Sequence, residues 1–463
     1  MTHALAVEDF SAFERQISTA AACSRPVRLR GKVTAVDLAS GDTAAVYDTA
    51  SESGGVLHVA CGNRRESACP ACSAIYKRDA RQLVRAGLVG GKGVPESVAA
   101  HPCVFATLTA PSFGPVHSRR ERNGKVLPCR PRRDANKRVC PHGRDISCAA
   151  RHAKDDPRLG RAMCGDCYDY RAAVLFNAAA GELWRRFTTY LPRHLARLGG
   201  ISQKQFRELV KVRFVKVAEY QARGVVHFHA LIRLDASTDA YAPPDPEWTT
   251  DRLEAAVKAA AVRASALAPV GKTGRALLLT FGTQTDVRPV LHGLGDTLTR
   301  DAVANYIAKY ATKTADAPGL PSSRLRSLDE IQALRCSAHH KRMIETAWHL
   351  GHRQWAHMLG YGGHFLTKSR AYSVTFGQLR RARAEHRRAQ RYDPAELDPW
   401  GRPVSETTVL FLGSWTYAGS GYAASDAHLL ALMSADSARS SIEHKLPPYR
   451  TDRSRMENSG AVD

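Results

Sequence analysis

Two histidines one residue apart, His227 and His229, stand in the apolar run Val225-Val226-His227-Phe228-His229-Ala230-Leu231-Ile232. The run has the length and the β-branched content of a buried strand. Side chains alternate across a strand, so both imidazoles face one side, close enough to share a metal ion. Upstream, Glu219 is followed by Gln221-Ala222-Arg223-Gly224, a turn sequence that folds Phe214-Val215-Lys216-Val217 back alongside. In that antiparallel hairpin Glu219 lies opposite the histidine pair if the register puts it on their face. Two imidazoles and one carboxylate leave coordination positions open for water and phosphate oxygens, as metal-assisted phosphoryl transfer requires. The competing reading of an HxH strand is a pair of packed or surface histidines.

A helix over 299–313 follows from a Thr299 cap, an acidic residue in the first turn and good helix formers after it. On it Tyr306, Lys309, Tyr310 and Lys313 share one face, while Val303 and Ile307 form a separate apolar stripe that anchors the helix to a core. A phenol is a weak nucleophile near neutral pH, its unperturbed pKa being about 10. Flanking ammonium groups and a metal-polarised phosphate both favour attack by the phenolate. The alternative is a helix whose tyrosines cover apolar surface while its lysines face water. A third segment, Pro102 to Pro111, is a short β-branched strand ended by proline and a turn, Ser112-Phe113-Gly114-Pro115.

The strand FATLTAPSF, then EYQARGVVHFHALIRL, then NYIAKYATK occur in that order. This succession resembles the three motifs of HUH endonucleases, in particular the rolling-circle replication initiators of plasmids and single-stranded-DNA phages. It is most similar to the initiators of actinobacterial plasmids and integrative elements, which also carry segments of the CGNRRESACPAC type (Cys61 to Cys72) and the LWRRFT type (Leu183 to Thr188). The resemblance implies that His227 and His229 are the paired metal ligands, with Glu219 in the place of the third. It implies that Tyr306 and Tyr310 match the two-tyrosine form of the last motif. One phenol attacks the DNA backbone, becomes joined to a 5′ phosphate and frees a 3′ hydroxyl for a polymerase; the second serves the later transfer that closes the circle. Tyr310, flanked by Lys309 and Lys313, is the first choice for the nucleophile, the lysines neutralising the phosphate or positioning the phenol. Mg²⁺ or Mn²⁺ is the expected catalytic ion.

Composition agrees with a polynucleotide partner: 67 lysines and arginines against 44 acidic residues give a formal charge of +23 and a pI near 9.8. The densest basic runs are Arg119-Arg120-Glu121-Arg122, Arg130-Pro131-Arg132-Arg133 and Arg380 to Arg388. Trp184 and Phe187 have the rings to stack bases, but core packing is the expected role. No Walker A sequence is present, so a host helicase is expected to be recruited along with a polymerase.

The N-terminus has no basic region leading into an apolar one, and no stretch has transmembrane length, so a cytoplasmic protein with reduced thiols is expected. In that setting clustered cysteines point to structural zinc. Cys69 and Cys72 form one CxxC knuckle with Cys61 nearby, Cys164 and Cys167 form another, and Cys140, His142, Cys148 and His152 lie between them. One or two tetrahedral sites follow, with the pairing open. Cys23, Cys103, Cys129 and Cys336 lack such spacing and are expected to be ordinary residues.

The expected fold class is α+β: an HUH-like antiparallel sheet flanked by helices, a Cys/His zinc-binding region and a helical C-terminal module. Residues 1–60 read as a weakly patterned leader with short strands possible within Val27 to Val36. Residues 61–170 form the Cys/His region enclosing the first motif strand (about 102–113), with an Arg/Pro/Gly-rich insertion at 114–160. Residues 171–315 form the nickase core: a helix Ala172 to Leu198, the hairpin, a helix Asp251 to Leu267, a strand Ala276 to Phe281 and the tyrosine helix. After a linker at Ala317 to Ser323, residues 324–420 read as a basic helical DNA-binding module, helical from Leu328 to Gly351. His339, His340, His349, His352, His357 and His364 within it read as surface and packing residues, and 436–463 as a disordered tail.

Three functions stay open: a rolling-circle initiator that binds, nicks and rejoins an origin strand; a two-tyrosine transposase with the same chemistry; and a non-enzymatic zinc-dependent DNA-binding regulator. A covalent protein–DNA adduct excludes the regulator.

Overall fold

The computed structural model describes Ile17 and residues 20–131, 139–268, 276–290, 300–312, 320–321, 323–391, 398–402 and 408–422. The early strands are β1 (Val27–Asp37), β2 (Thr43–Asp48), β3 (Leu57–Val59), β4 (Cys103–Leu108), β5 (Arg120–Arg122) and β6 (Lys125–Leu127). The later ones are β7 (Val210–Tyr220), β8 (Val226–Ala236), β9 (Ser265–Leu267), β10 (Leu278–Thr280), β11 (Thr285–Pro289), β12 (Leu366–Lys368) and β13 (Val409–Ser420). The helices are α1 (Pro70–Val89), α2 (Tyr170–Leu198), α3 (Gln203–Leu209), α4 (Thr250–Arg263), α5 (Arg300–Thr312), α6 (Leu328–Gln332), α7 (Ala338–His349) and α8 (Phe376–Arg391). None of the described helices is long and apolar enough to cross a membrane. Two compact units emerge, one drawn from residues up to Ala80 and from Thr375 onward, the other from Arg81–Val374.

In the first unit β1 is central to an antiparallel sheet of order β13-β1-β2, with β3 also pairing β1. Within the expected leader the described residues supply β1, where short strands were expected, together with β2 and β3, and the other strand pairing β1, β13, comes from residues 409–420. In the same unit Arg383 on α8 holds the buried Asp79 carboxylate through two nitrogens, Nη2 at 2.7 Å from Oδ2, and Tyr76 stacks on Phe376 at 5.0 Å.

The second unit is built on a five-stranded sheet of order β11-β4-β8-β7-β12, every pairing antiparallel. Strict alternation gives it two faces, both largely buried. Val104, Ala106, Leu108, Phe228, Ala230 and Ile232 point to the side covered by α2 and α4, where Phe176, Leu183, Trp184, Phe187, Leu253 and Val257 complete the core. Burying each large side chain there contributes about 1.5–3 kcal/mol. Trp184 and Phe187 are thus core residues, as expected. The odd-numbered residues of β4, β7 and β8 form the opposite face, and α5 packs on that side with Val303 and Ile307 fully buried.

Several elements differ from expectation. The helix predicted to reach Leu267 stops at Arg263, because Ser265–Leu267 pairs with β10 and gains ladder hydrogen bonds that a helix end would leave unmade. The stretch 324–420 is not one helical module. Its part up to Val374 belongs to the second unit and supplies β12, which caps the edge of β7, while α8 and the strand β13 fold with the first unit. Thr299, Lys313, most of the 317–323 linker and the 436–463 tail lie outside the described residues.

Candidate active site

The β7–β8 hairpin closes through Gln221 to Val225, with the Gln221 N–H donating to the Val225 carbonyl and the Gly224 N–H to the Gln221 carbonyl. Gly224 adopts φ +75°, where a side chain is disfavoured, and a Cβ there would press on Leu359. Asn177 on α2, fully buried, locks this turn. Its Nδ2 donates to the Gly224 and Leu359 carbonyls at 2.9 and 2.8 Å, and its Oδ1 accepts from the Val226 N–H at 2.9 Å. Arg223 donates to the Pro111 and Ala110 carbonyls just after β4. Gly160 of the Cys/His insertion abuts the same turn so closely that a Cβ would lie 2.1 Å from the Ala222 carbonyl carbon.

With the turn fixed, the register pairs Glu219 with His227, Val217 with His229, and Thr107 with His229. Glu219 Oε2 then lies 3.0 Å from His227 Nε2 and 3.1 Å from His229 Nε2. The spacing is that of adjacent ligands around an octahedral ion with bonds slightly over 2 Å, which stand about 3 Å apart. Thr107 Oγ1 is 3.0 Å from His229 Nδ1. A proton on Nδ1, shared with that hydroxyl, leaves the Nε2 lone pair directed at Glu219's oxygen, the orientation a metal ligand needs. His227 Nδ1 is buried without a hydrogen-bond partner among the described residues. The donor set of two Nε2 atoms and one carboxylate oxygen fits a divalent cation.

Electrostatics point the same way. Burial, reinforced by its His227 neighbour, holds His229 down to about 4. Burial opposes ionisation of Glu219, but the two imidazoles beside its carboxyl outweigh it and keep the carboxyl well below its usual range. At neutral pH the group therefore offers a carboxylate and an uncharged His229. Asp286, opposite Thr107 in register, carries a second carboxylate on this side and pairs with Arg288 at 2.9 Å.

Helix α5 brings Tyr306 to this group: its Oη is 3.4 Å from His229 Nε2, and its ring meets His229 edge-on at 5.1 Å and Phe105 edge-on at 5.7 Å. Arg81 anchors the helix through the Asn305 side chain. The backbone of Tyr310 continues α5 one turn later, with its side chain outside the described atoms; Lys309 is exposed and Lys313 lies outside the described residues. Thr107 and Asn177 escaped the sequence reading. Thr107 sits in the first motif strand, whose chemistry appears only once β4 is paired with β8.

Among the described residues, cysteines and histidines gather into three four-membered groups, each within 4.8 Å: Cys23, Cys61, Cys69 and Cys72; His117, Cys129, Cys148 and His152; Cys140, His142, Cys164 and Cys167. Each can hold a metal ion such as zinc. All nine expected ligands fall in these groups. Cys23 and Cys129, expected to be ordinary, are corrected, and His117 was missed; loops bring these three in from positions with no short spacing to the others. In the first group, hydrogen bonding with Cys69 pushes the Cys23 thiol up to about 12, while Cys69 is held far below the usual thiol range by Cys23. Cys23, Cys69 and Cys72 thus compete for charge that a cation would neutralise. Cys103 and Cys336 belong to none of these groups.

No solved structure matches this chain. Over 436 residues it is 42% identical to a replication initiator protein of Streptomyces ambofaciens, an alignment spanning 91% of this chain and 89% of that one. Residues 9–436 match the family described as the replication initiator protein of pSAM2. The expected membership is met: the chain belongs to the pSAM2 family of replication initiator proteins.

Proposed function

We propose that this initiator is an HUH nickase that starts rolling-circle replication by cutting one strand of its origin. The observation that carries the reading is the convergence of Glu219 Oε2 on the His227 and His229 Nε2 atoms, with a phenol oxygen 3.4 Å from the second imidazole. His227, His229 and Glu219 would hold Mg²⁺ or Mn²⁺. The bound ion supplies Lewis-acid polarisation of the scissile phosphate and stabilises charge on the departing 3′ oxygen.

The chain's own residues do the rest. Thr107 orients the His229 ring, Asn177 and Arg223 hold the hairpin, and α5 presents the phenol. The tyrosine oxygen bonds to phosphorus as the P–O3′ bond breaks, giving a 5′ phosphotyrosine and, after protonation, a 3′ hydroxyl for the host polymerase. Rejoining runs the step in reverse: a 3′ hydroxyl, freed when the second phenol makes its own cut, attacks the phosphorus of the first phosphotyrosine, so the P–O3′ bond forms as the P–O(Tyr) bond breaks and the first phenol leaves and takes up a proton. The sequence alone favours Tyr310; the geometry supports Tyr306 for the first attack, with Tyr310 as the second phenol and Lys309 and Lys313 as phosphate-neutralising cations. Origin DNA, a host helicase and a polymerase are the partners, and the cytoplasm is the compartment. Family membership favours the initiator over a transposase, and the assembled acid–imidazole–phenol group favours an enzyme over a regulator.

The test is incubation with origin single strand and Mn²⁺, followed by peptide mapping of a covalent adduct. An adduct on a tyrosine of α5 supports the reading; strand binding with no adduct and no cleavage in Mn²⁺ or Mg²⁺ refutes it.

A further inference from the structure

We infer that the insertion between Pro115 and Tyr168 is a binuclear zinc module whose two ions are cross-braced, each holding the loops that carry the other's ligands. This does not rest on the nicking chemistry.

The insertion has almost nothing else to hold it. Among the described residues 116–163, the side chains it buries are Cys129, Cys140 and His152, all members of the Cys/His groups. Val116 and Ala162 are half-buried against the neighbouring core. Its regular structure is the short β5–β6 hairpin and the isolated bridges Val116–Ala162, Arg130–Cys148 and Val139–Asp145. A segment of this length with no apolar core cannot offset the entropy of ordering its backbone, and chains in that position use metals or disulfides. Its cysteines are all free thiols, which leaves metal.

The distances are those of tetrahedral zinc. With Zn–S near 2.3 Å and Zn–N near 2.05 Å, a sulfur and a nitrogen on one ion stand about 3.5 Å apart. Cys148 Sγ is 3.6 Å from His152 Nε2, and His142 Nδ1 is 3.2 Å from Cys167 Sγ and 3.8 Å from Cys164 Sγ. Supporting contacts match as well. Asp156 takes the other nitrogen of His152, Nδ1, at 2.7 Å, the carboxylate–histidine pairing that orients zinc ligands. The Ser118 N–H donates to Cys129 Sγ at 3.2 Å, and His117 keeps a buried Nδ1 with no hydrogen-bond partner among the described residues.

The order of ligands along the chain gives the brace. His117 and Cys129 belong to the first group, Cys140 and His142 to the second, Cys148 and His152 to the first again, Cys164 and Cys167 to the second. The loop closed by the first ion contains the opening ligands of the second, and the loop closed by the second contains the closing ligands of the first. Neither site is complete when the other's loops are loose, so the two ions are expected to be lost together.

Zinc content of the full chain, purified without chelator, tests this by plasma mass spectrometry. The double variant His117→Ala with Cys129→Ser is expected to carry two fewer ions per chain than wild type, although only one site is altered. A deficit of one, or none, overturns the proposal. As a reference, Cys23→Ser with Cys69→Ser breaks the separate four-cysteine group and should leave both module ions in place; their loss there would overturn selective coupling. A wild-type measurement covers the case in which the first variant loses every ion by unfolding. During chelator challenge, two ions should leave in a single phase distinct from any third, and independent departure of each ion overturns the brace.

Discussion

Tyr306 Oη lies 3.4 Å from Nε2 of His229, the imidazole that also touches Glu219. Phe105 fixes this approach by stacking on His229 and meeting Tyr306 edge-on. A phenol held there is within reach of any phosphate bound to the ion those groups would carry. Tyr306→Phe is therefore expected to abolish the covalent DNA adduct, with binding of origin strand changed less than twofold. Tyr310→Phe should keep the first adduct and lose strand rejoining. The reverse pattern, read on a denaturing gel, hands the first attack to Tyr310.

Thr107 acts on the same imidazole from behind, 3.0 Å from Nδ1. Loss of a residue that orients a metal-bound histidine typically costs about 10–100-fold in metal affinity. Thr107→Val, close in shape, should raise the Mn²⁺ concentration needed for half-maximal cleavage by about that factor and leave the maximal rate nearly intact. Glu219→Gln should fail at any Mn²⁺ concentration, and EDTA should silence the wild type reversibly. A Thr107→Val titration that overlays the wild-type curve would show that the hydroxyl does not orient the ligand.

Much of this site could be read from the chain because its logic is local. Alternation alone sets His227 and His229 on one face, and a turn that pairs Tyr220 with Val226 puts Glu219 across from His227 without help from distant residues. The 3.6-residue period likewise separates Val303 and Ile307, which are buried, from Tyr306. What was not legible depends on partners far along the sequence. Thr107 looks like any strand threonine until β4 pairs with β8. Cys23 and Cys129 have no nearby knuckle partner, and the β1 strand is completed by residues that follow it only after the whole second unit has intervened. Periodicity carries no information about such pairings.

Lys216 is a charge the chain hides on the core side of β7. Its Nζ sits 4.3 Å over the Phe228 ring and 3.5 Å from Tyr361 Oη, and burial pushes it down to about 7. An unfolded lysine titrates near 10.4. Between those values the unfolded chain binds more protons than the folded one, so stability rises with pH there; below pH 7 the full penalty applies, roughly 4–5 kcal/mol. Lys216→Met should thus stabilise the second unit by a few kcal/mol at pH 6.5 and by almost nothing near pH 10. Urea unfolding at both values measures it, and an equal gain at the two would mean that the amine is not buried in its neutral form.

Further along the same strands, Asp235 is completely buried and receives Arg233 through Nε at 2.6 Å and Nη2 at 2.8 Å, with His101 Nδ1 2.9 Å away. Arg233 also donates to the Gly87 carbonyl at the end of α1, so one guanidinium ties helix to sheet. Removing one member of such a buried pair strands the other charge at a cost of about 3–5 kcal/mol. Asp235→Asn is expected to lower unfolding stability by that amount. In combination with Arg233→Met most of the loss should return, because the apolar side chain needs no partner in that space. Urea midpoints of the two single variants and the double variant complete the cycle. If the double variant is as unstable as the sum of the singles, the pair acts through packing and not through its charges.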